Sequence, residues 1–463
     1  MTAEPPIVVV GAGPAGVSAA RTLVDAGHRP ILVDEGMFPG GQVFRRPPSP
    51  LQQSDKKLYG FDARRARRLH DNFSALLPSI IYHAETMVWA VEPGLLHLAR
   101  GDKAICQPWK RLILATGAMD RIVPTKGWTA PGVVTLGAAQ IALKAQASII
   151  GKSVIFLGSG PLLYLVAYQY ARAGARVVAV LEAGRPFRRF SDLPAIASGG
   201  ATFAGGVFYI AWLKAHGVPI KTGIEPLEIL HGSDGRTSGL RYRRKGQGRE
   251  TILSCDALAI GYGLKSETQL ADLLGVDFHF DPQQRQWLPT TDLDGRSCVD
   301  GVYLAGDGVS VRGNQIAAIA GELAALALLS DMDGSEAPQA GALRREIRRA
   351  RRFRKALDSV FAFPTDQLKT LPDEALICRC EGLTAGAVRQ VVELSGESDI
   401  NRVKAFSRLG MGRCQGRVCG PAAAELIAAA ASTDILHVGR LRGQAPLKPI
   451  ALATLAGGRD DGI

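Results

Sequence analysis

A run of four apolar β-branched residues, IVVV at 7–10, leads directly into GAGPAG at 11–16, and no other feature limits the possible folds of this chain so tightly. The run reads as a buried parallel strand. Gly11 allows the tight exit from that strand, Gly13 lets backbone approach a pyrophosphate, and Gly16 lets the following helix pack close. Pro14 and Ala15 open the helix, whose free N–H groups and positive dipole end suit phosphate. The helical pattern runs to about Ala26, with Gly27 where a C-terminal cap belongs. A second strand at 31–33 ends on Asp34 and Glu35. An acid there accepts hydrogen bonds from an adenosine ribose; spacing favours Asp34, with Glu35 close enough to serve.

The pattern recurs. A strand at 154–157 leads through Gly158 and Gly160 into a helix at 162–173 capped by Gly174, and a strand at 177–181 ends in Glu182. The third glycine is replaced by Leu163, which holds the helix further from the strand. Three readings of this loop stay open: an NAD site with Glu182 on the ribose, a site for another adenine nucleotide, or a retained fold without ligand. The expected fold is α/β, with tandem Rossmann-like units as in glutathione-reductase-like two-dinucleotide flavoproteins and a small α-rich C-terminal domain.

Three further segments select FAD for the first loop. LILATGA at 112–118 offers Ala115, Thr116 and Gly117 after a strand. GGQ at 40–42 offers Gly41 and Gln42 on the flavin side. GVYLAGDG at 301–308 is a strand ending in Gly306 and Asp307, where the aspartate suits the ribityl–phosphate region. An apolar helix at 315–329 starts with Gln315 and Ile316, and its N-terminus would favour an anionic reduced flavin.

The chain has 463 residues, room for about three domains. Hydrophobic residues make up 46% and charged ones 21%, as in soluble globular proteins, and no apolar stretch is long and charge-free enough to span a bilayer. MTAEPP at the start has no basic n-region, so a cytoplasmic location is expected, with membrane association through the electron acceptor left open. The net charge of +12 is concentrated in LRREIRRARRFRK at 343–355, a solvated helix face or subunit contact. No nucleic-acid module accompanies it, so no nucleic-acid partner is expected.

Seven cysteines divide unevenly. Cys106, Cys255 and Cys298 are scattered singles, expected as buried small hydrophobes. Cys378, Cys380, Cys414 and Cys419 lie within 42 residues, a metal-ligating pattern in a reducing compartment. Neither pair has the CxxC spacing of a zinc knuckle, and GMGRCQGRVCG at 410–420 leaves backbone N–H groups for the sulfurs. Both points favour a [2Fe–2S] cluster over zinc. Neither nucleotide unit has a CxxC, which argues against a disulfide reductase, and no catalytic acid or base stands out. The expected order is an FAD domain at 1–120, a second nucleotide domain at 121–290, the returning FAD part at 291–330, a basic helical linker at 331–374, the cluster domain at 375–435 and an extended arm at 436–463.

ATGAMDRIVPTKGWTAPGVVTLGAAQIALK at 115–144 closely resembles the α-type subunits of heteromeric amino- and imino-acid dehydrogenases. These include the A subunit of opine oxidase, the α subunits of D-hydroxyproline and proline dehydrogenases and the B subunit of hydrogen cyanide synthase; the sarcosine oxidase α subunit is a larger relative. The segment CRCEGLTAGAVR and the later KAFSRLGMGRCQGRVCG are similar to the [2Fe–2S] domain of that group, as is the tail PLKPIALATLA. The resemblance implies a partner, a flavoprotein β subunit of the amino-acid-oxidase type that oxidises the C–N bond, while this chain passes electrons to a small-molecule acceptor. It allows FMN at a subunit interface and a small third subunit. Two rival readings are a stand-alone NAD(P)H:acceptor oxidoreductase and a non-catalytic electron-transfer scaffold.

Overall fold

In the computed structural model, which describes residues 6–51, 53–186 and 196–456, Ile7–Val10 (β1) lies at the centre of a five-stranded parallel sheet. Residues 1–5, the basis for the reading of the N-terminus, and 457–463 of the expected arm lie outside the described residues. β1 is flanked by Ile31–Val33 (β2) and Arg111–Leu114, and the sheet is completed by Ile81–His83 and Val302–Leu304. Continuous burial of Val8 and Val9 explains why this strand is apolar on both faces.

Pro14–Asp25 (α1) leaves the loop and packs beneath the helix Asn314–Asp333. A Cβ at Gly321 would stand 1.9 Å from the Ala15 carbonyl oxygen, so only glycine admits this crossing. The long helix continues four residues past the expected 329 and stops at Gly334, which adopts φ +76°. Among the described residues it is the one helix long and apolar enough to cross a membrane, but its alanine and leucine side chains form the first unit's core.

The second unit repeats the parallel arrangement in the order Ile220–Thr222, Arg176–Glu182, Ser153–Ser159, Ala257–Tyr262, Val133–Thr135. Each unit also carries a three-stranded antiparallel meander, at 87–108 and 224–254. Two antiparallel strands, Ala118–Asp120 and Leu264–Ser266, carry the chain across and back. The return therefore comes near 264, where the sequence reading carried the second unit to 290. Leu270, Ala271 and Leu274 then join the first unit's core.

The arginine-rich helix Ala340–Val360 packs Ile347 against Leu323 and follows the first unit. Four helices, Ala385–Ser395, Ile400–Ser407, Gly420–Ala430 and Ile435–Val438, build the C-terminal domain around Val388, Ile400, Val403 and Leu426. The arm beyond it is extended up to a short helix, Leu452–Ala456, and the Leu447 N–H donates to the Trp89 carbonyl at 2.8 Å.

Candidate functional site

The first glycine loop is built by close approach. Gly11 has φ +107°, and a Cβ there would lie 2.4 Å from the Ala115 carbonyl oxygen. A Cβ at Gly16 would lie 1.7 Å from the Gly11 carbonyl oxygen. Gly13 differs, because a Cβ there meets nothing nearer than the Gly41 Cα at 3.7 Å. The Gly40 N–H donates to the Ala12 carbonyl at 2.8 Å, which lays GGQ across the loop. A Cβ at Gly306, φ +71°, would touch the Ala15 Cβ at 2.8 Å, and one at Gly308 would lie 2.8 Å from Thr116 Oγ1. The segments at 11–16, 40–42, 115–117 and 306–307 thus meet at one place. α1 has no side-chain cap, so its first N–H groups stay open, and the bare backbone of Gly13 and Gly41 forms a cradle that a side chain would fill. Both features fit the pyrophosphate of FAD.

The acids are placed differently from one another. Asp34 accepts the N–H groups of Ala12 and Gly36, and burial raises its pKa. Glu35 is half exposed and pairs with Lys448 of the arm. Asp307 accepts the N–H groups of Arg312 at 2.8 Å and Gly313 at 3.2 Å, while burial raises its pKa as well. Gln42 and Gln315 are exposed; the Gln42 side-chain oxygen accepts from Arg45 at 2.9 Å, and Gln315 lies beside Arg65. The Ile316 side chain packs with Leu323 and Ile347, which leaves its backbone as the part near the site.

In the second loop Gly158 is required by the neighbouring strand, since a Cβ would lie 1.7 Å from the Gly261 carbonyl oxygen. Gly160 adopts φ +109°. Leu163 is fully buried between helix and sheet. Glu182 is fully buried too; it accepts the N–H groups of Gly184 at 2.9 Å and Gly160 at 3.2 Å and the Tyr164 hydroxyl at 3.4 Å. Burial pushes its pKa up to about 7. This carboxylate is tied into its own loop.

The four clustered cysteines come together. Cys378 ends the strand Leu376–Cys378, and Cys414 and Cys419 frame the loop ahead of the helix Gly420–Ala430. Cys419 meets both Cys378 and Cys414, and Cys414 meets Cys380. The sulfurs therefore form a chain of contacts, and among the described residues no three His, Cys, Asp or Glu side chains ring a single-ion position. The Cys419 thiol, then the backbone N–H groups of Gly410, Glu381 and Cys380, pull the Cys378 thiol down to about 6. Cys414 is lowered by Cys419, with further help from the N–H groups of Val418 and Gly416. Cys419 is raised by its two thiol neighbours. Four thiols with converging backbone donors fit a [2Fe–2S] cluster. Of the other cysteines, Cys255 is buried and Cys106 half-buried. Cys298, expected in a core, is exposed at a surface bend, where its sulfur accepts the Asp277 N–H at 3.3 Å.

A polar bridge joins the two sites. Thr116 Oγ1 donates to the Glu267 carbonyl at 2.6 Å, and the Glu267 N–H donates to the Gly117 carbonyl at 3.0 Å. The Glu267 carboxylate accepts from Arg417 Nε at 2.7 Å, and Arg417 lies between Cys414 and Cys419. Gln269 donates to the Gln415 carbonyl at 2.7 Å. Arg417 holds the Glu267 carboxyl below its ordinary pKa even though burial opposes this. Arg285 clasps Glu425 at 2.8 and 2.6 Å, and Asp272 pairs with Arg440. Sequence reasoning missed Glu267, Gln269 and Arg417. The one available signal was an arginine inside CQGRVC.

Comparisons with known proteins agree with this arrangement. Residues 5–322 match the family described as pyridine nucleotide-disulphide oxidoreductase, and residues 376–429 match the BFD-like [2Fe-2S] binding domain. The chain is 33% identical to the A subunit of opine oxidase from Agrobacterium tumefaciens, over 97% of this chain and 91% of that protein. It is 32% identical to the HcnB subunit of hydrogen cyanide synthase from Pseudomonas aeruginosa, over 96% of each. Its fold is similar to that of L-proline dehydrogenase from P. horikoshii, with a TM-score of 0.71 at 20% identity, covering 97% of this chain and 79% of that one.

Proposed function

The chain belongs to the pyridine nucleotide-disulphide oxidoreductase family, among the relatives of the A subunit of opine oxidase, and on that premise we propose that it is the electron-transferring subunit of a heteromeric amine or amino-acid dehydrogenase. It is a flavin-dependent oxidoreductase with FAD and a [2Fe–2S] cluster as cofactors. The donor is a secondary amine or amino acid of the opine, proline or glycine class. A partner flavoprotein subunit oxidises it, and this chain passes the electrons to an acceptor.

Bound FAD and cluster supply two-electron and one-electron redox chemistry respectively. The residues proposed to hold FAD are Gly11, Gly13, Pro14, Ala15, Gly16, Asp34, Gly41, Gln42, Ala115, Thr116, Gly117, Gly306 and Asp307. Those proposed for the cluster are Cys378, Cys380, Cys414 and Cys419. Asp307 draws the N–H groups at the start of the long helix into a fixed turn. Thr116, Glu267 and Arg417 hold the cysteine loop against the strand end that borders the flavin segments. This bridge is the observation that carries the reading. A fixed arrangement of the two segments favours electron transfer between groups bound at them. We assign no step to the second nucleotide loop.

The experiment compares the chain purified alone with the chain co-purified with an amino-acid-oxidase-like partner. Dye reduction driven by an amine donor is expected only in the complex. NADH-driven dye reduction by the isolated chain at comparable rates would reject the reading and favour a stand-alone reductase.

A further inference from the structure

The helix Ala201–Ala215, ATFAGGVFYIAWLKA, carries a single charged residue, Lys214, and buries a single side chain, Leu213. Val207 is 48% exposed and Phe208 39%. Phe61 of the first unit, 65% exposed, lies edge-on to Phe208 with ring centres 5.1 Å apart. Tyr168 continues the cluster, 4.9 Å from Tyr209 and 5.0 Å from Trp212. The result is an aromatic ridge that spans both nucleotide units. A helix this apolar normally owes its place to a buried face, and this one turns most of that face outward.

Both flanks of the ridge are basic. Phe203 of the apolar helix packs with Phe353, Ala356 and Val360 of the arginine helix, which exposes Arg348 and Arg352. On the other side Phe61 follows exposed Lys56 and Lys57 and precedes exposed Arg64 and Arg68. None of these six cations forms an ion pair among the described residues. Rings with polar edges at the centre and exposed lysine and arginine at both margins match the headgroup boundary of a bilayer.

We propose that this face docks peripherally on an anionic phospholipid surface, with the helix Ala201–Ala215 in the interface and the flanking cations on the lipid phosphates. Charge complementarity selects the partner: the helix has no acidic residue, and lysines and arginines outnumber the acids at its margins, where Asp62 and Asp55 are paired with Arg65 and Arg67. The inference does not depend on which donor is oxidised.

The test uses the cofactor-loaded protein in the complex with which it purifies. It is sedimented with vesicles of phosphatidylcholine alone and of phosphatidylcholine mixed with phosphatidylglycerol. Sedimentation is expected with the mixed vesicles only, with release at high salt. Val207→Asp should lose binding while keeping flavin content and melting temperature. Arg348→Ala with Arg352→Ala should lower partitioning by about fivefold for each cation removed. Three outcomes overturn the proposal: no binding to the mixed vesicles, wild-type binding by these variants, or hydrogen-exchange protection of 201–215 in the lipid-free complex. The last assigns the face to a protein partner instead.

Discussion

Replacing Gly13 and Gly16 separately by alanine should produce two different failures, although both glycines belong to one motif. At Gly16 the added methyl carbon would stand 1.7 Å from the Gly11 carbonyl oxygen and 2.9 Å from its carbon. Both are backbone atoms, so α1 must move off the sheet and away from the helix Asn314–Asp333. Overpacking of this kind costs about 3 kcal/mol or more. At Gly13 the nearest atom is 3.7 Å away, an ordinary contact, and φ −77° with ψ −174° suits any residue. Loss of a glycine N-cap costs about 1 kcal/mol at most. The Gly13 methyl instead occupies the cradle proposed for the pyrophosphate. Weakening one charge-assisted backbone hydrogen bond there lowers flavin affinity by about tenfold to a hundredfold. The assay is thermal denaturation of flavin-depleted protein, followed by titration with FAD. Gly16→Ala should melt early. Gly13→Ala should melt like the wild type and bind FAD poorly. Wild-type FAD affinity in Gly13→Ala, or early melting of both variants, would refute the placement of the phosphates.

Glu182 bears on pH dependence. Its pKa rises from 4.5 to about 7 through burial, so its stabilising contribution is fully present below 4.5 and is lost as pH rises through about 7. Ionising it in place costs about 3 kcal/mol. Denaturation of Glu182→Gln against wild type should therefore show the variant gaining by about that amount between pH 4.5 and 8; an unchanged difference would place the carboxylate in water. Arg285→Ala leaves the carboxylate of Glu425, 2% exposed, without its clasp. A loss of about 3 kcal/mol is expected, with easier proteolytic release of the C-terminal domain. Cys414→Ser should abolish bound iron and the visible cluster absorption while flavin content stays at the wild-type ratio; metal analysis and the absorption spectrum check both.

The glycine loops, their strands and helices, and the cysteine quartet were legible in the residue order because each has a short-range signature in residue type and spacing. The bare backbone required at Gly16 is set by Gly11 in the same loop, the apolar run at 7–10 reports its burial by composition alone, and Gly11, whose close approach is to distant Ala115, is legible only as part of the loop's spacing. The two antiparallel meanders escaped notice because short, half-buried strands carry weak alternation; the strand Met87–Glu92 buries adjacent Ala90 and Val91. The return across near 264 was hidden for a related reason, since Leu264–Ser266 has no pattern of its own and exists because Ala118–Asp120 pairs with it. Tertiary structure alone turned Glu35 toward Lys448, folded Glu182 into its own loop and exposed Cys298. It also made the link between Glu267 and Arg417, 150 residues apart. No spacing rule encodes such a pair, because a charge finds its partner only after both units and the C-terminal domain have packed. The sequence thus determined which cofactor sites this chain builds, and the packing decided how those sites are held to one another.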